Sequence, residues 1–209
     1  DFSLEKYLIF EADQLIYDER EHAVYVQSDQ KWAKVNLHTR EESLLKIPCE
    51  HLYHLFFSEE YRSTGYVCDS FFLIDSPAVN IELPFALGSI SDVQWWGNQL
   101  YFATHEYGLY RYGLSDSTWS HTLANVSISK LRKVDDKTFM AASNQGVYFI
   151  NWEDSSADIT SKYDASTGLG SNEVYDVYHT DSIIYVANNN GFYTIDLDMP
   201  TIKNNQTGV

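Results

Sequence analysis

Short apolar runs alternate with polar tips along this chain, and the same arrangement returns about every forty residues. Four segments align without gaps over thirteen positions: residues 25–37 (YVQSDQKWAKVNL), 102–114 (FATHEYGLYRYGL), 140–152 (MAASNQGVYFINW) and 185–197 (YVANNNGFYTIDL). Each has an apolar start, a polar tip and an aromatic-rich alternating run, the period-two pattern of two strands joined by a tight turn. Gly108, Gly146 and Gly191 occupy the seventh position, where the turn requires positive φ. Lys31 stands there in the first copy and is expected to strain its turn or force a different one. A fifth copy, residues 66–76 (YVCDSFFLIDS), fits with a tip two residues shorter. The copies start at residues 25, 66, 102, 140 and 185.

Another apolar run precedes each pair: Leu15–Tyr17, Leu55–Phe57, Val93–Trp96, Leu131–Val134 and Val174–Tyr178. A weaker one follows most of them, at Leu44–Ile47, Val79–Leu83, Trp119–Leu123 and Ala157–Thr160. Four strands per unit, most apolar first and most polar last, predict an all-β chain. The fold is a β-propeller of about five four-stranded blades, or a fragment of a larger propeller, with the first strand of each blade at the crowded centre. A β-sandwich would not require so steady a period. Residues 1–209 then form one propeller domain with units at about 11–47, 48–84, 89–124, 127–160 and 168–199. The last unit lacks an obvious fourth strand, since Met199-Pro200 and Lys203–Gly208 are poor strand material. Leu4–Phe10 is expected to supply that strand and close the ring, or else to belong to a preceding blade. Trp95 and Trp96, adjacent on a first strand, must point to opposite faces and pack between blades.

Charge and composition narrow the picture. The chain carries 14 Lys and Arg against 30 Asp and Glu, a net charge of −16, spread rather than run into a tail. Such a surface repels phosphate backbones and anionic headgroups, which argues against nucleic-acid partners and direct membrane contact. No apolar stretch is long enough to cross a bilayer as a helix, and a chain opening at Asp1 without Met is expected to be a piece of something longer. A hairpin over 52–57 and 63–68, turning near Glu59, would bring Cys49 opposite Cys68 and within bridging reach; two buried free thiols are the alternative.

Residues 166–196 (STGLGSNEVYDVYHTDSIIYVANNNGFYTID) resemble the two-component regulator propeller repeat through Gly168-Leu169, Ser171-Asn172, Val174, Val177 and Gly191-Phe192. Tyr101–Thr104 with Gly108–Tyr112 is similar to it as well. Tyr101 and Tyr185 replace the repeat's Trp, and Ala103 and Ala187 its strand Gly. The resemblance implies an extracytoplasmic, periplasmic sensor region of a membrane signalling protein, such as a hybrid histidine kinase. It further implies a small-molecule or saccharide ligand, no catalysis by this part of the protein, and a homodimer that could form through the parent. Propellers also serve as assembly modules that bind other proteins and, more distantly, as glycosidases.

In a propeller the loops entering each first strand and the tips between second and third strands share one end. That end would carry Asp92, Asn172 and Glu173 from the entering loops. From the tips it would carry His105, Glu106 and Tyr107, then Asn144 and Gln145, then Asn188, Asn189 and Asn190, with Ser28–Gln30 from the first unit. Such side chains can bind hydroxyls and stack on sugar faces, although Asn, Asp and Ser are also what tight turns select. A hydrolytic site would need carboxylates such as Glu50, Asp92 and Glu173 to converge. No metal site is expected: His51 and His54 point to opposite strand faces, and Asp154–Asp158 lacks the ligand count of a calcium loop. No cofactor motif is present.

Overall fold

A computed structural model describes residues 14–18, 21–28, 31–45, 52–58, 63–68, 71–74, 79–84, 89–153, 156–198 and 201–205. These residues form twenty strands in five four-stranded antiparallel sheets, each a simple up-and-down meander. The chain divides into two compact units, residues 1–87 and 88–209. The first unit holds sheet 1, with β1 (Gln14–Asp18), β2 (Ala23–Ser28), β3 (Lys31–Asn36) and β4 (Glu42–Leu44), and sheet 2, with β5 (Leu52–Ser58), β6 (Ser63–Cys68), β7 (Phe71–Ile74) and β8 (Val79–Glu82). The second holds three sheets. Sheet 3 is β9 (Ile90–Trp96), β10 (Gln99–Thr104), β11 (Leu109–Gly113) and β12 (Trp119–Thr122). Sheet 4 is β13 (Ile128–Lys133), β14 (Thr138–Ser143), β15 (Gly146–Glu153) and β16 (Ser156–Tyr163). Sheet 5 is β17 (Val174–Thr180), β18 (Ile183–Asn188), β19 (Gly191–Asp196) and β20 (Thr201–Asn204). This is the propeller-type fold of four-stranded units that the repeat predicts.

β20 corrects one expectation. Thr201–Asn204 pairs with β19 in register, Ile195 opposite Ile202, so sheet 5 has its own fourth strand. Leu4–Phe10 lies outside the described residues.

Alternation along the strands builds two cores within the second unit. Phe139 and Ala141 of β14, with Tyr148, Ile150 and Trp152 of β15, pack toward Tyr101, Ala103 and Leu109 of sheet 3. Their neighbours Met140, Ala142, Val147 and Phe149 pack the other way, onto Val174, Val177, Ile184, Val186, Tyr193 and Ile195 of sheet 5. Sheet 4 is therefore covered on both faces, and five of the six residues of β14 are buried. Only two of six are buried in β13. The most buried strands are thus the second and third, not the first as the apolar gradient suggested. A second strand is paired at both edges and covered on both faces, whereas a first strand leaves one edge unpaired. Trp95 is buried, and Trp96 on the opposite face stacks near Tyr101 and Phe139 at 5.0 and 5.4 Å.

The gapless alignment slips by one residue in sheet 3. Ala103 pairs with Leu109 as Ala142 pairs with Val147, which makes Thr104, Ser143 and Asn188 equivalent and leaves the sheet 3 tip one residue longer. Gly108, Gly146 and Gly191 do adopt positive φ, at 85°, 116° and 122°. Lys31 opens β3 opposite Ser28 at the matching ladder position, with its turn residues 29–30 outside the described set.

Sheet 2 shifts the cysteine register. Phe56 sits opposite Gly65, and a Cβ on Gly65 would fall 2.0 Å from the Phe56 ring, so that ring fixes the pairing. With a bulge between Leu52 and His54, Cys68 comes to face Leu52 instead of Cys49. Cys68 is nonetheless disulfide-bonded, not a free thiol, and fully buried beside Leu52, Leu55 and Tyr66. Cys49 lies outside the described residues. Reduction of the chain is expected to lower its unfolding free energy by about 2–4 kcal/mol, read as a shift in urea midpoint with and without reductant; an unchanged midpoint would show that the bridge adds nothing to the fold.

Candidate functional site

The end of sheets 3, 4 and 5 that carries the second-to-third strand tips is locked from beneath by one buried polar side chain per sheet. Thr104 Oγ1 donates to Gly108 O at 2.7 Å and accepts from Tyr107 N at 2.9 Å. Ser143 Oγ donates to Gly146 O at 2.7 Å and accepts from Gln145 N at 3.1 Å. Asn188 Oδ1 accepts from Asn190 N at 2.9 Å, and its amide donates to Ser171 O at 3.3 Å. Each tip is also strapped to its own entering loop: His105 N donates to Ser89 O, Asn144 N to Ser127 O, and Asn189 N to Glu173 O, at 2.6, 2.9 and 3.0 Å. Tips and entering loops therefore do share one end of each of these sheets.

The candidate residues divide by what their side chains do there. Most of the amides are committed to the fold. Asn144 Oδ1 accepts from Ser127 N, Gln145 Oε1 from the Tyr148 hydroxyl, and Asn172 Oδ1 from Ala165 N. Asn189 Oδ1 accepts from the Tyr175 hydroxyl, and the Asn190 amide donates to Gly170 O. Asp92 is 3 % exposed and accepts from Leu131 N at 2.9 Å and Lys130 Nζ at 3.0 Å, which turns it away from the binding role predicted for it. His105, Glu106, Tyr107 and Glu173 are exposed. No hydrogen bond or ion pair joins the side chains of His105, Glu106 or Glu173 to the described residues. Of the three carboxylates a hydrolytic site would need, Glu50 lies outside the described residues, Asp92 is engaged and Glu173 faces solvent.

Sequence reasoning missed a device in the first strands. β5, β9, β13 and β17 each carry a bulge that leaves Tyr53, Ser91, Ser129 or Tyr175 without a ladder partner. A bulge re-aims its side chain, and Ser91 Oγ donates to Ile128 O while Ser129 Oγ donates to Val174 O at 2.7 Å. With the Asp92–Lys130 pair and the Arg132–Asp176 pair at 3.2 Å, these bonds tie β9 to β13 and β13 to β17. In β9 and β13 the available signal was a serine interrupting the apolar first strand near its start, Ser91 and Ser129.

The connection from sheet 4 to sheet 5 is a single 3₁₀ turn, Ala165–Thr167, capped by Asp164. Hydrogen bonds from Ser166 and Lys162 hold the Asp164 carboxyl below the usual carboxylate range. The backbone N–H groups of Lys137 and Thr138 do the same for Asp135. A depressed carboxylate contributes its stability above its unfolded pKa, near 4, and loses it as pH falls through the lower folded value. Asp164→Ala is thus expected to cost about 1 kcal/mol at neutral pH and nothing at the lowest pH where the chain stays folded. Thermal unfolding of both proteins across the acid range checks this, and a difference independent of pH would contradict it.

No family model and no curated protein sequence matches the chain. Solved structures do. The chain is similar to PorZ, a bacterial surface component of the type-IX secretion system of Porphyromonas gingivalis, with a TM-score of 0.68 and 11% identity over 93% of this chain and 28% of that one. It is also similar to the extracellular domains of two hybrid two-component systems of B. thetaiotaomicron. One gives a TM-score of 0.62 at 10% identity over 91% of this chain and 29% of that one; the other gives 0.61 at 14% over 82% and 25%. These likenesses show the fold, and the chain spans between a quarter and three-tenths of the length of these structures.

Proposed function

We propose that this chain is an extracytoplasmic ligand-binding module of a membrane signalling protein, taking a small-molecule or saccharide ligand at the tip end without catalysing a reaction. One observation carries the reading. His105, Glu106 and Glu173 stand free in solvent on loops whose backbones are locked by Thr104, Asn188 and the entering-loop straps. Such a display loses little entropy on binding, because the loops are already ordered. The fold shared with extracellular domains of hybrid two-component systems supports a sensing role, and among the described residues no helix is long and apolar enough to cross a membrane. A thermal-shift screen against a library of neutral oligosaccharides and small metabolites tests it. A hit whose stabilisation falls about tenfold in affinity with Glu106→Gln or Glu173→Gln is the expected result; hits untouched by either substitution would place binding elsewhere.

A second reading, an assembly module that binds another protein, has its own support. One face of sheet 5 leaves Tyr178 and Phe192 exposed at 62 % and 44 %, with Tyr185 stacked between them. The fold shared with a secretion-system surface component points the same way.

A further inference from the structure

Arg111 is 7 % exposed, yet forms no ion pair with any described residue, in a chain with more than twice as many acidic as basic side chains. It lies in β11 on the face of sheet 3 that looks toward sheet 4. Its Nε donates to Ser120 Oγ at 3.1 Å, and its guanidinium carbon sits 5.1 Å from the centre of the Trp152 ring. Asp116 feels the Arg111 charge only weakly and spends a carboxylate oxygen on Thr118 N. A guanidinium has five N–H donors in a planar fork, and here one of them is satisfied.

Two further donors beside Arg111 lack acceptors among the described residues. Trp152 Nε1 is buried with no partner. Tyr101, directly across the ladder from Arg111 and 5.9 Å from the Trp152 ring, is 7 % exposed, and its hydroxyl makes no hydrogen bond to the described residues. Burial raises the pKa of that hydroxyl, with the Arg111 charge a smaller opposing influence, so it stays protonated and able to donate. Buried donors without acceptors are costly, and a buried cation without a counter-charge more so. Of the three groups only Trp152 Nε1 is both cut off from solvent and without a partner, and together, drawn from two sheets, they have the donor inventory of an anion site.

We propose that the Arg111–Tyr101–Trp152 cluster between sheets 3 and 4 binds a carboxylate, held by the Arg111 fork and by hydrogen bonds from Tyr101 and the in-plane Trp152 N–H. Arginine pairs with a carboxylate through two parallel hydrogen bonds, so a small organic acid or an acidic sugar is the ligand class. The site lies in mid-strand, away from the tips, and stands or falls independently of the tip-end reading.

The test is an NMR titration of the intact chain, following the Trp152 indole N–H, with glucuronate and acetate, with glucose as the uncharged control and with sulfate. Saturable shifts with glucuronate or acetate and none with glucose are expected. Arg111→Met, which keeps the stem but loses the fork, is expected to weaken carboxylate binding by about a hundredfold. Trp152→Phe keeps the ring and should weaken glucuronate binding about tenfold, read by the thermal midpoint. No saturable shift with either carboxylate, a response to sulfate alone, or equal responses in wild type and Arg111→Met would overturn the proposal.

Discussion

Asp92→Ala is expected to cost the fold about 3 kcal/mol, the combined effect of an unsatisfied buried N–H at Leu131 and a partly buried Lys130 without its partner. The carboxylate is the joint between β9 and β13: one oxygen takes the ammonium of Lys130, the other the backbone N–H of Leu131. Lys130 is partly exposed and can recover water, which keeps the loss at the lower end for a broken buried pair. Asp92→Asn retains an acceptor for Leu131 and should lose about half as much. Urea unfolding with an unchanged slope is the measurement. A cost under about 1 kcal/mol for Asp92→Ala would show that the joint is solvated, and would return Asp92 to the list of groups free to bind a ligand.

The second large effect comes from Gly146, and the protein contains its own control. Gly146 and Gly168 share nearly the same backbone, φ 116° and 117°. A Cβ on Gly146 would lie 2.3 Å from Tyr163 O, whereas on Gly168 its nearest neighbour is Ile202 at 3.6 Å. Both alanine substitutions incur the left-handed backbone penalty of about 1–2 kcal/mol. Only Gly146→Ala must also push back the end of β16, where Tyr163 pairs with Val147. Gly146→Ala is therefore expected to cost at least about 3 kcal/mol and Gly168→Ala about half that or less. Equal costs would mean that the backbone angle alone explains the glycine at the shared turn.

How much of this was legible beforehand depended on whether the signal was periodic. The five sheets follow from alternation and from the glycines at 108, 146 and 191, because a two-residue period and a positive-φ turn leave direct marks on residue choice. β20 was not legible: Thr201–Asn204 is short and polar, and it is a strand because β19 offers it a free edge. The cysteine register misled because residue types at a hairpin place its turn only to within a few residues, whereas the fit of Phe56 over Gly65 decides it. The direction of burial was misjudged for a related reason, since apolar content does not reveal that β14 is covered on both faces.

The candidate site was legible as a place more than as a set of groups. Turn chemistry pointed to the tips, and the tips do lie with the entering loops. Yet Asn144, Asn172, Asn188, Asn189 and Asn190 are largely occupied in holding those turns. No sequence pattern separates an asparagine that closes a loop from one that meets a ligand. Arg111 gave no sequence signal at all; its isolation appears only when neighbouring sheets are seen to supply no carboxylate.

The most direct test of the ligand-binding account is backbone-amide NMR of the intact chain titrated with the best stabilising compound from the screen. Shifts concentrated at His105, Glu106, Tyr107, Glu173, Asn189 and Asn190, with β16 and β20 unmoved, are the predicted result. Shifts confined to the outer strands, or a tip end that responds to no compound, would contradict it.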